Sequence, residues 1–361
     1  MQYSKVCVIG AGYVGLTFAV KIAQEGLSVQ ALDINKKKID ALNSGFSSIP
    51  EKNLNAQIKK LLNKKIFFNY TKKIVADDII IAISYFPNKP LTYLKIFNLI
   101  EFKNKPTIYI RGTVPVGFIK NKIQKYLEKK KLKDNKDYFI VSAPERTLSG
   151  DALNELSNLT QLVGASTASF KKAKKFFKKI NTKIIHLGST DAGELAKVFC
   201  NFSRLSLFNI SNYLMSVCSQ LNLNENKIIA GIKKNYPRLD FLADPGPGVG
   251  GFCLPKDSLV LSDSFHKTKK YYLKQYPRSQ YDLNRKIIIN NIKLCEKYFN
   301  KKDKILILGV AFKGFPETDD FRDSFGLISY RYLSKKYKIF TFDKNIDYKI
   351  LKENKLNPIT F

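Results

Sequence analysis

At 361 residues, 44% hydrophobic and 25% charged, the chain suits two or three globular domains and excludes a disordered or fibrous protein. Lys plus Arg total 62 against 30 Asp plus Glu, a formal charge of +32. The lysines are scattered among Asn and Ile without an Arg-rich tail or aromatic-interleaved basic cluster, which argues for a solvated lysine surface over a nucleic-acid footprint and for attraction of acidic small molecules.

Cys7, Cys200, Cys218, Cys253 and Cys295 are odd in number and never paired as CxxC. That spacing suggests no disulfide framework and no metal site, and it fits a reducing cytoplasm. The N-terminus lacks a basic head, apolar core and cleavage site, and no run approaches about 18 apolar residues, so neither export nor a membrane span is expected.

In chain order, residues 5–9 form an apolar run ending in Gly10, a stretch of helical period follows through Ala23, and residues 28–32 form a second run. Further runs at 79–83, 107–110 and 138–141, separated by helical stretches, predict an α/β, Rossmann-like doubly wound domain over residues 1–190. A span without proline from Asp191 to Leu221 predicts a long connecting helix. Helical segments to residue 299, broken by the Gly/Pro-rich stretch 244–255, complete a central helical domain. From residue 300 the chain echoes its own beginning: Lys304-Ile-Leu-Ile-Leu-Gly309 repeats the pattern of Lys5-Val-Cys-Val-Ile-Gly10, and Asp343 closes an apolar run as Asp33 does. Residues 300–361 therefore predict a second Rossmann-like beginning, a partial nucleotide-binding domain with an open sheet edge.

Gly10-Ala-Gly12-Tyr13-Val14-Gly15 matches GxGxxG in the strand-to-helix context that gives the pattern meaning. The glycines permit a tight turn, backbone approach to a pyrophosphate and close helix packing, while the helix N-terminus favours the anion. Asp33 stands at the spacing of a ribose-binding acid and points to NAD over NADP, a preference softened by Lys36, Lys37 and Lys38.

Pro245-Gly246-Pro-Gly248-Val-Gly250-Gly-Phe-Cys253-Leu-Pro255-Lys256-Asp257 places a cysteine in bare backbone just ahead of an expected helix N-terminus, beside Lys256. Both features favour a reactive thiolate. The other four cysteines sit in apolar-periodic segments and read as core. On the long helix, Lys197, Asn201 and Arg204 recur at i, i+4 and i+7 and share one face, able to aim donors at a carbonyl oxygen or sugar hydroxyl.

These motifs, with Gly112-Thr113-Val-Pro-Val-Gly117, Ala143-Pro-Glu145-Arg, Glu194-Leu-Ala-Lys197 and Thr318-Asp-Asp-Phe-Arg322-Asp-Ser324 in order, resemble the UDP-glucose/GDP-mannose dehydrogenase family from Met1 to about Ser324. The resemblance implies NAD-dependent oxidation of a nucleotide sugar's C6 alcohol to a carboxylate by a homodimer formed through the central helical domain, with Cys253 as covalent nucleophile. It further implies Lys197 and Asn201 as oxyanion stabilisers, Asp257 acting with Lys197 on water and protons, Glu145 assisting thioester hydrolysis as a base, and Thr113 near the nicotinamide. Lys38, Lys256 and Arg322 are implied at the cofactor, and Arg204, Arg238, Lys313 and the glycines 246, 248 and 250 at the substrate. The stretch Pro144–Gly150 with Glu155 and Arg204 leans toward the UDP-N-acetylmannosamine and UDP-N-acetylglucosamine dehydrogenases.

Two departures from the family pattern are the Ile83-Ser-Tyr-Phe-Pro87 turn and the shortened third domain. Three other readings stay open on sequence: a UDP-glucose 6-dehydrogenase, a two-electron hydroxy-acid dehydrogenase, and a weakly active or non-catalytic nucleotide-sugar binder. The second is poorly served, because His186 and His266 are the only histidines and neither lies in a motif.

Overall fold

The computed structural model describes residues 5–70, 73–85 and 90–360. Phe86 and Pro87 of the divergent turn lie outside the described residues. The chain divides into two compact units, Met1–Lys197 and Val198–Phe361, and the division falls inside the helix Thr190–Leu221.

The first unit is built on an eight-stranded sheet: β1 (Val6–Ile9), β2 (Val29–Leu32), β3 (Ile66–Asn69), β4 (Asp78–Ile81), β5 (Thr107–Ile110), β6 (Phe139–Ser142), β7 (Gln161–Ala165) and β8 (Ile184–His186). Their spatial order is β3-β2-β1-β4-β5-β6-β7-β8, and every pair is parallel except β6 with β7. The sheet carries apolar layers on both faces, which is why β1 and β5 read as continuous apolar runs. Alternation within β1 divides them: Val6 and Val8 join Phe18, Phe176 and Phe177 on one side, whereas Cys7 and Ile9 join Phe97, Phe118 and Tyr138 on the other. Each such buried side chain contributes about 1.5–3 kcal/mol of transfer free energy.

Order reverses at β1, leaving a crevice at the carboxyl ends of β1 and β4, where doubly wound sheets bind ligands. The sequence expectation for five of these strands holds to within two residues. It misses β3, β7 and β8, whose apolar runs are short or broken; β8 carries only Ile184, Ile185 and His186, with the last two exposed.

In the second unit the rest of the long helix is followed by helices Glu225–Lys233, Cys253–Ser264 and Tyr271–Glu296. A parallel pair, β9 (Lys304–Leu308) and β10 (Lys338–Phe342), is joined through helix Phe325–Leu333. The echo of the chain's beginning is geometric as well. Gly309 N–H donates to Phe342 O at 2.9 Å as Gly10 N–H donates to Leu32 O at 2.7 Å. Asp343 accepts from Val310 N and Ala311 N at 2.6 and 2.7 Å, matching Asp33, which accepts from Ala11 N at 2.9 Å. Residues 357–359 add main-chain bonds to Thr341 on the outer side of β10, and the other edge of β9 pairs with no strand among the described residues.

Candidate functional site

The glycine turn closes β1 and opens the helix Tyr13–Gln24, whose N-cap is Gly12. Gly10 has a φ of 96°, and a side chain there would come within 2.7 Å of Ala82 O. A Cβ on Gly15 would lie 1.8 Å from Gly10 O, so the helix can pack onto the turn only without one. At Gly12, by contrast, a Cβ would meet nothing within 4 Å: the space over the helix N-terminus is open, and no side-chain cap or first-turn acid competes for it. Tyr13 and Val14, half-buried, start that helix.

Asp33 accepts from Ala11 N and Asn35 N and pairs with Lys38 Nζ at 3.0 Å. Burial works to raise its pKa, but these backbone and lysine contacts outweigh it and hold the carboxyl below its ordinary value. Next to it Ile34 is 95% exposed, an apolar platform that sequence reading passed over because a lone exposed isoleucine carries no pattern. An open anion seat, an ionised acid at the sequence spacing of a ribose-binding residue and an apolar neighbour together fit a dinucleotide.

Thr113 is half-buried just beyond β5, in the loop Gly112–Gly117. That loop is tied to the long helix by Glu194, which is 2% exposed and accepts from Gly117 N and Ile119 N at 2.6 and 2.8 Å. Burial pushes the Glu194 carboxyl up to about 8, against those two donors. Lys197, half-buried, follows one turn later.

Glu145, beyond β6, is buried and held at both oxygens. One accepts from Arg146 N and Thr147 N at 2.7 and 2.8 Å; the other accepts from Arg111 Nη2. Arg111 directly follows β5 and is 1% exposed. Its other terminal nitrogen donates to Gln161 Oε1 at 2.8 Å, and its guanidinium carbon lies 3.7 Å from the Phe18 ring centroid. Burial alone would raise the Glu145 pKa, yet Arg111, the two backbone donors and the nearby Lys197 charge prevail and keep it below the carboxylate range.

In the second unit Cys253 is exposed and is the first residue of helix Cys253–Ser264, one step further into the helix than the sequence implied. The preceding Phe252 ring has the Arg322 guanidinium 4.5 Å and the Lys256 ammonium 5.4 Å from its centroid. Arg322 also grips Asp320 through two nitrogens, at 2.9 and 2.7 Å. Asp257 is 1% exposed; it accepts from Asn201 Nδ2 at 2.5 Å and from Lys256 Nζ.

The glycine-rich loop before Cys253 is pinned by three asparagines that the sequence did not single out. Asn212 accepts from Gly246 N, Asn284 exchanges two bonds with Val249, and Asn291 donates to Pro247 O. A Cβ on Gly248 would sit 2.3 Å from Ile288, and one on Gly250 would press on Ser324 and Phe325 at 3.1 Å. Gly251 N donates to Asp323 O, joining this loop to the 318–324 motif. Arg204 and Arg238 are exposed, Arg238 on the turn Pro237–Leu239, and Lys313 lies half-buried with its ammonium 5.5 Å from the Phe312 ring.

The remaining cysteines divide. Cys7 and Cys218 are core, and burial pushes the Cys7 thiol up to about 12. Cys200 is half-buried and Cys295 exposed, correcting the core reading of both; Cys295 sits in the last turn of its helix, beyond the buried Ile287, Ile288 and Ile292. No cluster of three or more metal-ligating side chains occurs among the described residues, and none of their helices is long and apolar enough to cross a membrane.

Residues 4–182 match the NAD-binding domain of the UDP-glucose/GDP-mannose dehydrogenase family, and residues 191–284 match its central domain. The chain belongs to this family and is an NAD-dependent nucleotide-sugar dehydrogenase. It is 28% identical over 336 residues to the UDP-N-acetyl-D-mannosamine dehydrogenase of Methanococcus maripaludis, covering 89% of this chain and 74% of that one. It is 25% identical to the NDP-N-acetyl-D-galactosaminuronic acid dehydrogenase of Ralstonia nicotianae, covering 90% and 78%. Among solved structures, the UDP-D-ManNAc dehydrogenase of Pyrococcus horikoshii superposes with a TM-score of 0.82 at 25% identity, over 95% of this chain and 84% of that one.

Proposed function

We propose that this chain oxidises the C6 alcohol of a UDP-N-acetylhexosamine to the carboxylate, removing four electrons through a covalent intermediate on Cys253. The observation that carries the reading is an exposed thiol on the first turn of a helix, at the end of a glycine loop whose close packing leaves no room for side chains at Gly248, Gly250 and Gly251. The helix N-terminus and the Arg322 and Lys256 charges flanking Phe252 favour negative charge there. The names of the relatives support the N-acetylated sugar.

NAD, when bound at the glycine turn, supplies the hydride acceptor in each of two rounds. In the first, the alcohol loses a hydride and a proton and becomes an aldehyde. An aldehyde has no hydride to yield at the acid level until a nucleophile adds, so the Cys253 sulfur bonds to C6 and forms a thiohemiacetal. Loss of the second hydride and the hydroxyl proton leaves a thioester. Water then bonds to the acyl carbon and the C–S bond breaks; sulfur leaves with the electron pair and regains a proton, and the product acid ionises. Lys197 and Asn201 stabilise negative charge on the reacting oxygen, Asp257 fixes Asn201 and Lys256, and Glu145 serves the hydrolysis. Thr113 is assigned to the nicotinamide side, Lys38 to the ribose end and Arg204, Arg238 and Lys313 to the substrate's sugar and phosphates.

We assign residues 1–190 to the cofactor, 191–299 to catalysis and dimerisation, and 300–361 to the nucleotide. Phe199, Ile210 and Tyr213, each more than half exposed and separated by 11 and 3 positions, form an apolar stripe on the long helix suited to a second copy. Sedimentation at micromolar concentration should give twice the 41.2 kDa chain mass; a monomer would remove this assignment.

The function itself is tested by following NADH across UDP- and GDP-sugars. UDP-N-acetylmannosamine or UDP-N-acetylglucosamine should yield two NADH per sugar consumed. One NADH per sugar, or no turnover of any acetamido sugar, would refute the reading.

A further inference from the structure

Glu145 is the one proposed catalytic carboxylate in the first unit, and its surroundings are unusual for a group that is to accept a proton. A carboxylate offers about four lone-pair sites. Three donors already occupy Glu145: Arg146 N and Thr147 N on one oxygen, Arg111 Nη2 on the other. Arg111 is itself over-determined. It is fully buried, has its guanidinium carbon over the Phe18 ring, and donates from its second terminal nitrogen to Gln161, whose amide in turn donates to Pro144 O, the residue before Glu145. The fork therefore sets both the charge and the direction of the carboxylate, and it does so from the residue that leads directly into Gly112 and Thr113.

We propose that Arg111 is a positioning residue for the thioester hydrolysis: it clamps Glu145 as a permanent anion whose one uncommitted lone pair orients the attacking water. Glu145 then aims the water and stabilises positive charge on it without taking its proton away. The proton balance is unchanged: one proton of the water ends on the departing sulfur and the other is released by the product acid. This inference rests on the Cys253 thioester proposed above. A carboxyl held below its ordinary pKa is a weak base, which agrees with the role. The charged groups acting on Glu145 are Arg111, just after β5, and Lys197 from the long helix, with Arg146 adjacent on its own loop directing its guanidinium to Thr160 O at 2.6 Å.

The test is Arg111→Lys, which keeps a cation but loses the fork, alongside the double variant Arg111→Met/Glu145→Gln, which removes both buried charges together. Loss of one charge-assisted contact predicts a kcat about 10- to 100-fold lower in Arg111→Lys, with KM for the sugar falling in parallel and kcat/KM little changed. Hydrolysis becomes limiting, so a burst of NADH precedes the slow steady state, and intact mass shows an acylated chain. With burial less fully opposed, the Glu145 pKa rises, and the acid limb of the kcat profile moves to higher pH. The double variant should show the burst without that limb. An unchanged kcat, or a lower kcat with neither burst nor shifted limb, would overturn the proposal by reducing Arg111 to a structural part. Failure of the underlying thioester reading looks different: the wild-type enzyme itself would release one NADH per sugar.

Discussion

Cys253→Ala should stop the reaction at the aldehyde, lowering carboxylate formation by about four orders of magnitude or more, in keeping with loss of a covalent nucleophile. The reason is specific to the second half of the chemistry. Hydride loss from the alcohol needs no sulfur, so with an amine trap present the variant should still release one NADH and a captured aldehyde. The exposed thiol makes no claim on core packing, and alanine suits a first helical turn, so the melting temperature should stay close to that of the parent. Retention of two NADH per sugar in this variant would end the covalent account. Cys295 is also exposed, so Cys295→Ala is the matching control and should leave turnover intact.

Asp257→Asn should lower kcat by about 100- to 1000-fold, the range for losing one element of a preorganised electrostatic site. The substitution keeps shape and removes charge. Asp257 accepts from both Asn201 and Lys256; an amide can accept at one atom only, so one of the two loses its acceptor and the charge that holds both together is gone. Stability should suffer little, because the Lys256 side chain retains 25% exposure and can turn to water. A variant with normal kcat would show that the Asn201–Asp257–Lys256 cluster is packing alone.

Much of the fold was readable because its signals are local. The GxGxxG turn needs glycine for reasons confined to a few residues, and the 1.8 Å approach at Gly15 shows how little latitude it has. The long helix and β9 were legible from period and from the absence of proline. Cys253 stood out through its neighbours, since glycines and Pro255 are placed for backbone reasons visible in the sequence itself.

What escaped reading depends on residues distant in the chain. Arg111 and Glu145 are 34 positions apart and meet only because β5 and β6 lie side by side. A charged residue directly after a buried strand was the available hint. The asparagines at 212, 284 and 291 hold the glycine loop from two different helices, and asparagine in a helix normally signals nothing. Cys295 read as core because helical period does not tell where a packing partner ends.

The central claim is that the Cys253 sulfur carries the substrate as an acyl group. The direct measurement is acid quenching of the parent enzyme and of Arg111→Lys during the first turnover with NAD and the acetamido sugar, followed by peptide mass mapping. A sugar-acid adduct on the Cys253 peptide, cleaved by neutral hydroxylamine and formed only with NAD present, is the predicted result. An unmodified Cys253 peptide while two NADH per sugar are still being released would contradict it.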